Sequence, residues 1–80
     1  MKKLLQFKAA WCGPCKLLTP LIDQYKDKYD VQIIDVDENT ELSIGYNIRN
    51  VPTAIILDGD TEIDRFIGGQ VNKSNLDKYI

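Results

Sequence analysis

Cys12 and Cys15 are the only cysteines of this chain, and they stand three positions apart in the run Trp11-Cys12-Gly13-Pro14-Cys15. A Cys-x-x-Cys pair supports two chemistries: it cycles between dithiol and disulfide, or it supplies two thiolates to a metal site. Zinc takes about four ligands, and this sequence contains no histidine and no third cysteine. No metal and no cofactor is therefore expected. A purely stabilising role fails too, because closing so short a loop removes little freedom from the unfolded chain. Thiol–disulfide exchange remains, in which one thiolate attacks a disulfide sulfur and a second thiol then resolves the mixed disulfide.

The elements around the pair must hold the two sulfurs in different settings. Leu4, Leu5 and Phe7 make Lys3 to Phe7 a strand buried on both faces, in the middle of a sheet. From Pro14 to Tyr29 the apolar residues Leu18, Ile22, Tyr25 and Tyr29 recur at helical spacing, with Pro14 in the first turn and Pro20 inside. A strand-to-helix turn places the Cys12 sulfur at the helix N-terminus, where free N–H groups and the macrodipole favour a thiolate. Cys12 is thus expected to be the exposed nucleophile and Cys15, one turn further on, the buried resolving thiol. Trp11 is expected to be half exposed, forming a contact surface with Pro14, Val51 and Gly69.

Val31 to Val36 reads as a second strand, parallel to the first through a right-handed crossover. Asp35, Asp37, Asn39 and Glu41 alternate as in a calcium loop, but Thr40 stands where the sharp-turn glycine belongs and Tyr46 where the bidentate glutamate belongs. The run is instead a strand end with caps for a short helix, Glu41 to Tyr46. Ala54 to Leu57 is a buried strand, Asp58-Gly59-Asp60 a tight turn, and Thr61 to Ile67 an antiparallel edge strand. Asn72 caps a last helix in which Leu76, Tyr79 and Ile80 face inward.

Composition narrows the class. Eighty residues with 44% apolar content make one domain, residues 1–80, with one core. The net charge of −2 is spread over both signs with no basic stripe, which argues against nucleic acid. Met1 to Leu5 imitates the start of a secretory signal, yet Lys8 interrupts the apolar run far short of the roughly 7 to 15 residues an export signal needs. No membrane association is expected, and a cytoplasmic location follows as the default.

Trp11-Cys12-Gly13-Pro14-Cys15-Lys16, Pro20, Asp35-Val36-Asp37-Glu38-Asn39, Val51-Pro52-Thr53 and Gly68 occur in the order and spacing of thioredoxins, and over nearly its whole length the chain resembles that family. The resemblance implies a thioredoxin-like α/β fold, here a minimal four-stranded mixed sheet flanked by about three helices and lacking the N-terminal strand and helix of full-length members. It also implies reduction of protein disulfides by Cys12 and Cys15, and a cis bond between Val51 and Pro52. Substrate contacts would fall at Trp11, Gly13, Pro14, Val51, Pro52, Gly68 and Gly69. The partners implied are disulfide-containing proteins and a thioredoxin reductase or equivalent donor, with the chain a monomer. Two rivals stay open: a glutaredoxin-like donor dedicated to one enzyme such as ribonucleotide reductase, and a non-catalytic binding subunit.

Two departures from the family pattern bear on mechanism and cover. Gln6 stands where the family commonly has a buried aspartate, and Ile33 where it has a lysine in the neighbouring strand. With only Glu41 to Tyr46 to cover the sheet face opposite the Cys15 helix, the apolar side chains of that face are expected to be exposed or buried in a homodimer.

Overall fold

The first strand, β1 (Lys3–Lys8), lies between two others because its side chains are apolar on both faces. The computed structural model describes residues 1–80 and runs β1, α1 (Gly13–Asp23), β2 (Asp30–Asp35), α2 (Thr40–Gly45), β3 (Thr53–Asp58), β4 (Thr61–Ile67) and α3 (Lys73–Leu76), with 3₁₀ turns at Gly68–Gln70 and Asp77–Tyr79. The sheet order is β2-β1-β3-β4, with β1 parallel to β2 and antiparallel to β3, and β3 antiparallel to β4. This is the mixed four-stranded α/β architecture expected. The two central strands carry the deepest residues, Leu4, Phe7 and Ala54 to Ile56 all being fully buried. Gly59, at φ 63°, supplies the left-handed backbone of the β3–β4 turn.

One face of the sheet packs under α1 and α3. Leu4, Ala54, Ile56 and Phe66 meet Ile22, Tyr25 and Leu76 there in a single core cluster. The other face joins Leu5, Phe7, Ile34, Ile55 and Leu57. Those five side chains are at most 6% exposed, so the expectation of a bare face on this side is overturned. Cover comes less from α2, in which only Ser43 is buried, than from the segment after it. Tyr46 and Ile48 pack onto the cluster, and the Tyr46 ring lies 5.8 Å from that of Phe7. Towards the sheet edge, Arg65 stands opposite Ile55 and Glu62 opposite Leu57, joined by an ion pair at 2.8 Å. A charged pair that keeps its heads in water can lay its carbon stems over apolar neighbours. Exposed apolar side chains remain on α2 (Leu42, Ile44), on the edge strands (Ile33, Ile63, Ile67) and on the outer face of α1 (Leu17).

Two expectations about helices need correction. α1 stops at Asp23 rather than reaching Tyr29, because Gln24, Tyr25 and Lys28 bond three residues back rather than four. What overrides the helical spacing is tertiary. The Tyr25 hydroxyl donates to Asp77 at 2.6 Å, and that of Tyr29 to the Leu76 carbonyl, so both rings are fixed by the C-terminal segment. That segment starts as expected, with Asn72 accepting from the Asn75 N–H at 2.9 Å. It then ends differently: Leu76 is buried and Tyr79 half-buried, but Ile80 is 59% exposed and faces out. Tyr79 instead donates to Asp64 of β4 at 2.6 Å. No helix is long and apolar enough to cross a membrane.

The tyrosine contacts generate two measurable outcomes. Tyr29→Phe removes the hydroxyl bond to the Leu76 carbonyl and should cost about 0.5 to 1.5 kcal/mol, read as a lower urea midpoint at unchanged slope. The hydrogen bond from Tyr79 holds the Asp64 carboxyl below its usual range, outweighing the desolvation that opposes it. A depressed folded-state value means a contribution complete above the unfolded pKa of about 3.9 and lost as pH falls through the folded value. The stability difference between wild type and Tyr79→Phe should therefore be constant from about pH 5 to 7 and shrink in acid. A difference that grows on acidification would contradict it.

Candidate functional site

The site grows from the carboxyl end of β1, where open α/β sheets gather their chemistry. After Lys8 the chain turns at Ala9, whose carbonyl accepts the Cys12 N–H at 3.1 Å. Cys12 is then the N-cap of α1, with extended backbone (φ −87°, ψ 104°), and its sulfur accepts the Cys15 N–H at 3.2 Å. Gly13 and Pro14 fill the first turn, where the missing proline N–H costs nothing. No acidic side chain lies in that turn. The positive helix end is therefore left to the sulfur alone.

The two cysteines are joined as a disulfide. They do not differ in burial as expected: Cys12 is 4% exposed and Cys15 5%, so Cys12 is not the exposed partner in this oxidised form. The reason is the floor beneath them. Ala9, Cys12 and Cys15 form one small cluster against Val36 and Val51, which closes over both sulfurs. What separates the two positions is hydrogen bonding, since Cys12 alone receives a helix N–H.

Around this floor the other candidate residues divide into those brought together and those set apart. Trp11 is 71% exposed, more than expected, and its indole Nε1 donates to Asp37 Oδ2 at 2.9 Å. Trp11 and Val51 line one groove of about 250 Å³ with Val36, Ile48, Arg49 and Asn50. The Val51–Pro52 bond is cis, and Pro52 is buried. Neither the N–H nor the C=O of Val51 is bonded to another backbone group. Gly68, at φ 59°, donates its N–H to the Pro52 carbonyl at 2.9 Å, which ties the Gly68-Gly69 turn to the proline. Gly13, Pro14, Gly68 and Gly69 do not line the groove. Gly13, Pro14 and Gly69 are exposed and Gly68 half-buried.

Sequence reasoning missed Ile48, Arg49 and Asn50, and the part of Asp37 as the partner of Trp11. Asp37 could have been found in that part, because it follows the carboxyl end of β2, the parallel neighbour of β1, where a polar side chain can reach the Cys12 loop. Nothing in the pattern marks the groove residues, which follow Asn47 in its left-handed conformation (φ 55°). Gln6 and Ile33 were foreseen as neighbours and do pair across β1 and β2.

Because Trp11 is the only tryptophan, its tether is directly observable. Asp37→Ala should lower the indole fluorescence anisotropy while changing stability by no more than about 0.5 kcal/mol, as befits an exposed contact. Unchanged anisotropy would show that the hydrogen bond does not hold the ring.

Comparison with known proteins bears on the same residues. A family model described as thioredoxin matches residues 1–80. Thioredoxin from Staphylococcus epidermidis is 34% identical over 85 aligned positions, covering 98% of this chain and 82% of that protein. Among solved structures, reduced thioredoxin pre-protein from Schistosoma mansoni superposes with a TM-score of 0.85 at 31% identity, over 99% of this chain and 79% of that one. Thioredoxin 1 from Thermosipho africanus gives 0.76 at 39% identity, over 80% and 74%. With a disulfide at the head of α1, a cis proline behind it and these relatives, the chain belongs to the thioredoxin family.

Proposed function

We propose that this chain reduces protein disulfides through a Cys12–Cys15 cycle. The observation that carries the proposal is the Cys15 N–H bonded to the Cys12 sulfur at a helix start free of acidic side chains. That arrangement stabilises negative charge on Cys12 once the pair is reduced. The Cys12 thiolate attacks one sulfur of a substrate disulfide, forming a mixed disulfide and expelling the other sulfur as a thiolate. Cys15, deprotonated, then attacks Cys12, forming the Cys12–Cys15 bond and expelling the substrate's second sulfur. Two electrons pass to the substrate, and a thioredoxin reductase or equivalent donor returns them.

Substrate docks across Trp11, Gly13, Pro14, Val51, Pro52, Gly68 and Gly69. The free N–H and C=O of Val51 suit an extended segment that pairs as a strand, and the apolar groove beside it takes a side chain. The chain works as a monomer, since both sheet faces already have cover. Its place is the cytoplasm, where thiols are kept reduced.

Roles are separable by substitution. Cys15→Ser should accumulate mixed disulfides with substrate proteins, Cys12→Ser should form none, and both should reduce insulin only at the background rate. Faster alkylation of Cys15 than of Cys12 by iodoacetamide, in the reduced protein at neutral pH, would reverse the assignment.

A further inference from the structure

Gln6 is 4% exposed, and neither its Oε1 nor its Nε2 meets any protein hydrogen-bond partner. It is alone in this among the buried side chains, since Thr53 donates to the Asn50 carbonyl and Ser43 to that of Asn39. A leucine would fill such a position without an unmet amide. Gln6 and Cys15 line one cavity of about 360 Å³ between α1 and the β2 edge, with Leu18, Ile22 and Ile33 as apolar walls. The cavity is roomy enough for several waters and has the exposed Thr19, Asp23 and Lys26 in its lining.

We propose that Gln6 is a positioning residue for the resolving step: its amide holds water beside Cys15, and that water accepts the Cys15 proton. The inference rests on the exchange cycle proposed above. A water that donates one hydrogen to Gln6 Oε1 keeps its oxygen lone pairs for the thiol proton, which then leaves through the cavity to bulk solvent. The electron pair left on Cys15 attacks Cys12 and forms the Cys12–Cys15 bond. The Cys12–substrate bond breaks with its pair on the substrate sulfur. Asp23 is the one carboxylate among the residues that line the cavity. The ionisable groups facing the cavity are Lys8 from β1, Asp23 from α1 and Lys26 just beyond it, while β2 contributes only Ile33. Asp23 lies eight residues along the helix from Cys15, about 12 Å at the usual rise, and is paired with Lys26 at 3.0 Å.

The test follows reduced protein reacting with a chromogenic aromatic disulfide in stopped flow, where attack by Cys12 and release by Cys15 each liberate one coloured thiolate. Gln6→Leu should leave the first phase unchanged, slow the second about three- to tenfold at neutral pH, and move its pH midpoint upward. In wild type the second phase should rise through one titration, and Asp23→Asn should not alter it. Gln6→Glu should add a carboxyl titration to that phase; should it fail to fold, Gln6→Leu decides alone. A second phase in Gln6→Leu with the rate and midpoint of wild type overturns the proposal, as does a wild-type carboxyl step abolished by Asp23→Asn. Absence of the first phase would instead refute the exchange cycle itself.

Discussion

The hydrogen bond from the Cys15 N–H to the Cys12 sulfur exists only if α1 begins directly after Cys12, and most of the fold is arranged to make it begin there. β1 is pinned by register on both sides, to β2 and to β3, and Phe7 at its end is wholly buried. The strand therefore has a fixed end. From it the turn at Ala9 carries the chain to Cys12, and Pro14 pre-sets the first helical turn. A helix start elsewhere would leave the sulfur without its N–H, and a shifted register would move Leu4 and Leu5 to the wrong faces of the sheet. The chemistry is thus anchored in the least exposed strands, which resist local opening most strongly.

Holding β1 and β3 buried on both faces asks much of a chain this short. Three tyrosine hydroxyls answer on one side. Tyr25, Tyr29 and Tyr79 bond to Asp77, the Leu76 carbonyl and Asp64, joining the C-terminal segment to the end of α1 and to β4. α3, at four residues, is far too short to be helical alone. Its stability is tertiary, and the same contacts draw residues 24–28 out of the α-helical path. On the opposite face the cover is Tyr46, Ile48 and the Arg65–Glu62 pair in place of a long helix. Short segments with specific polar contacts replace area.

This division explains what could be read from residue types. The strands, their order of burial and the position of the cysteines were legible because apolar periodicity reports directly on core faces. Asn72 was legible as a cap, since its side chain acts locally. The end of α1 was not, because Tyr25 and Tyr29 keep helical spacing and are buried, yet are held by residues some fifty positions away. Nor was the outward turn of Ile80, whose place is taken by the Tyr79–Asp64 contact. The burial of Cys12 was misjudged for a related reason: a helix N-terminus suggests exposure, but Val36 and Val51 arrive from distant parts of the chain to cover it.

Gln6 shows why such a site differs from the rest of the core. Elsewhere each buried polar side chain is satisfied, as packing energetics demand. At Gln6 the sheet pairs an amide with Ile33, a residue 48% exposed at the β2 edge, and neither can satisfy it. A carboxylate at the same depth would suffer the larger desolvation cost of a buried charge, and Ile33 opposite it carries no charge to offset that cost. An apolar residue would remove the penalty altogether but would also dry the wall facing Cys15. The amide is the intermediate choice. It is neutral enough to be buried between β2 and β3 and polar enough to keep water against the sulfur that must lose a proton, so the unmet hydrogen bonds belong to the chemistry rather than to the fold.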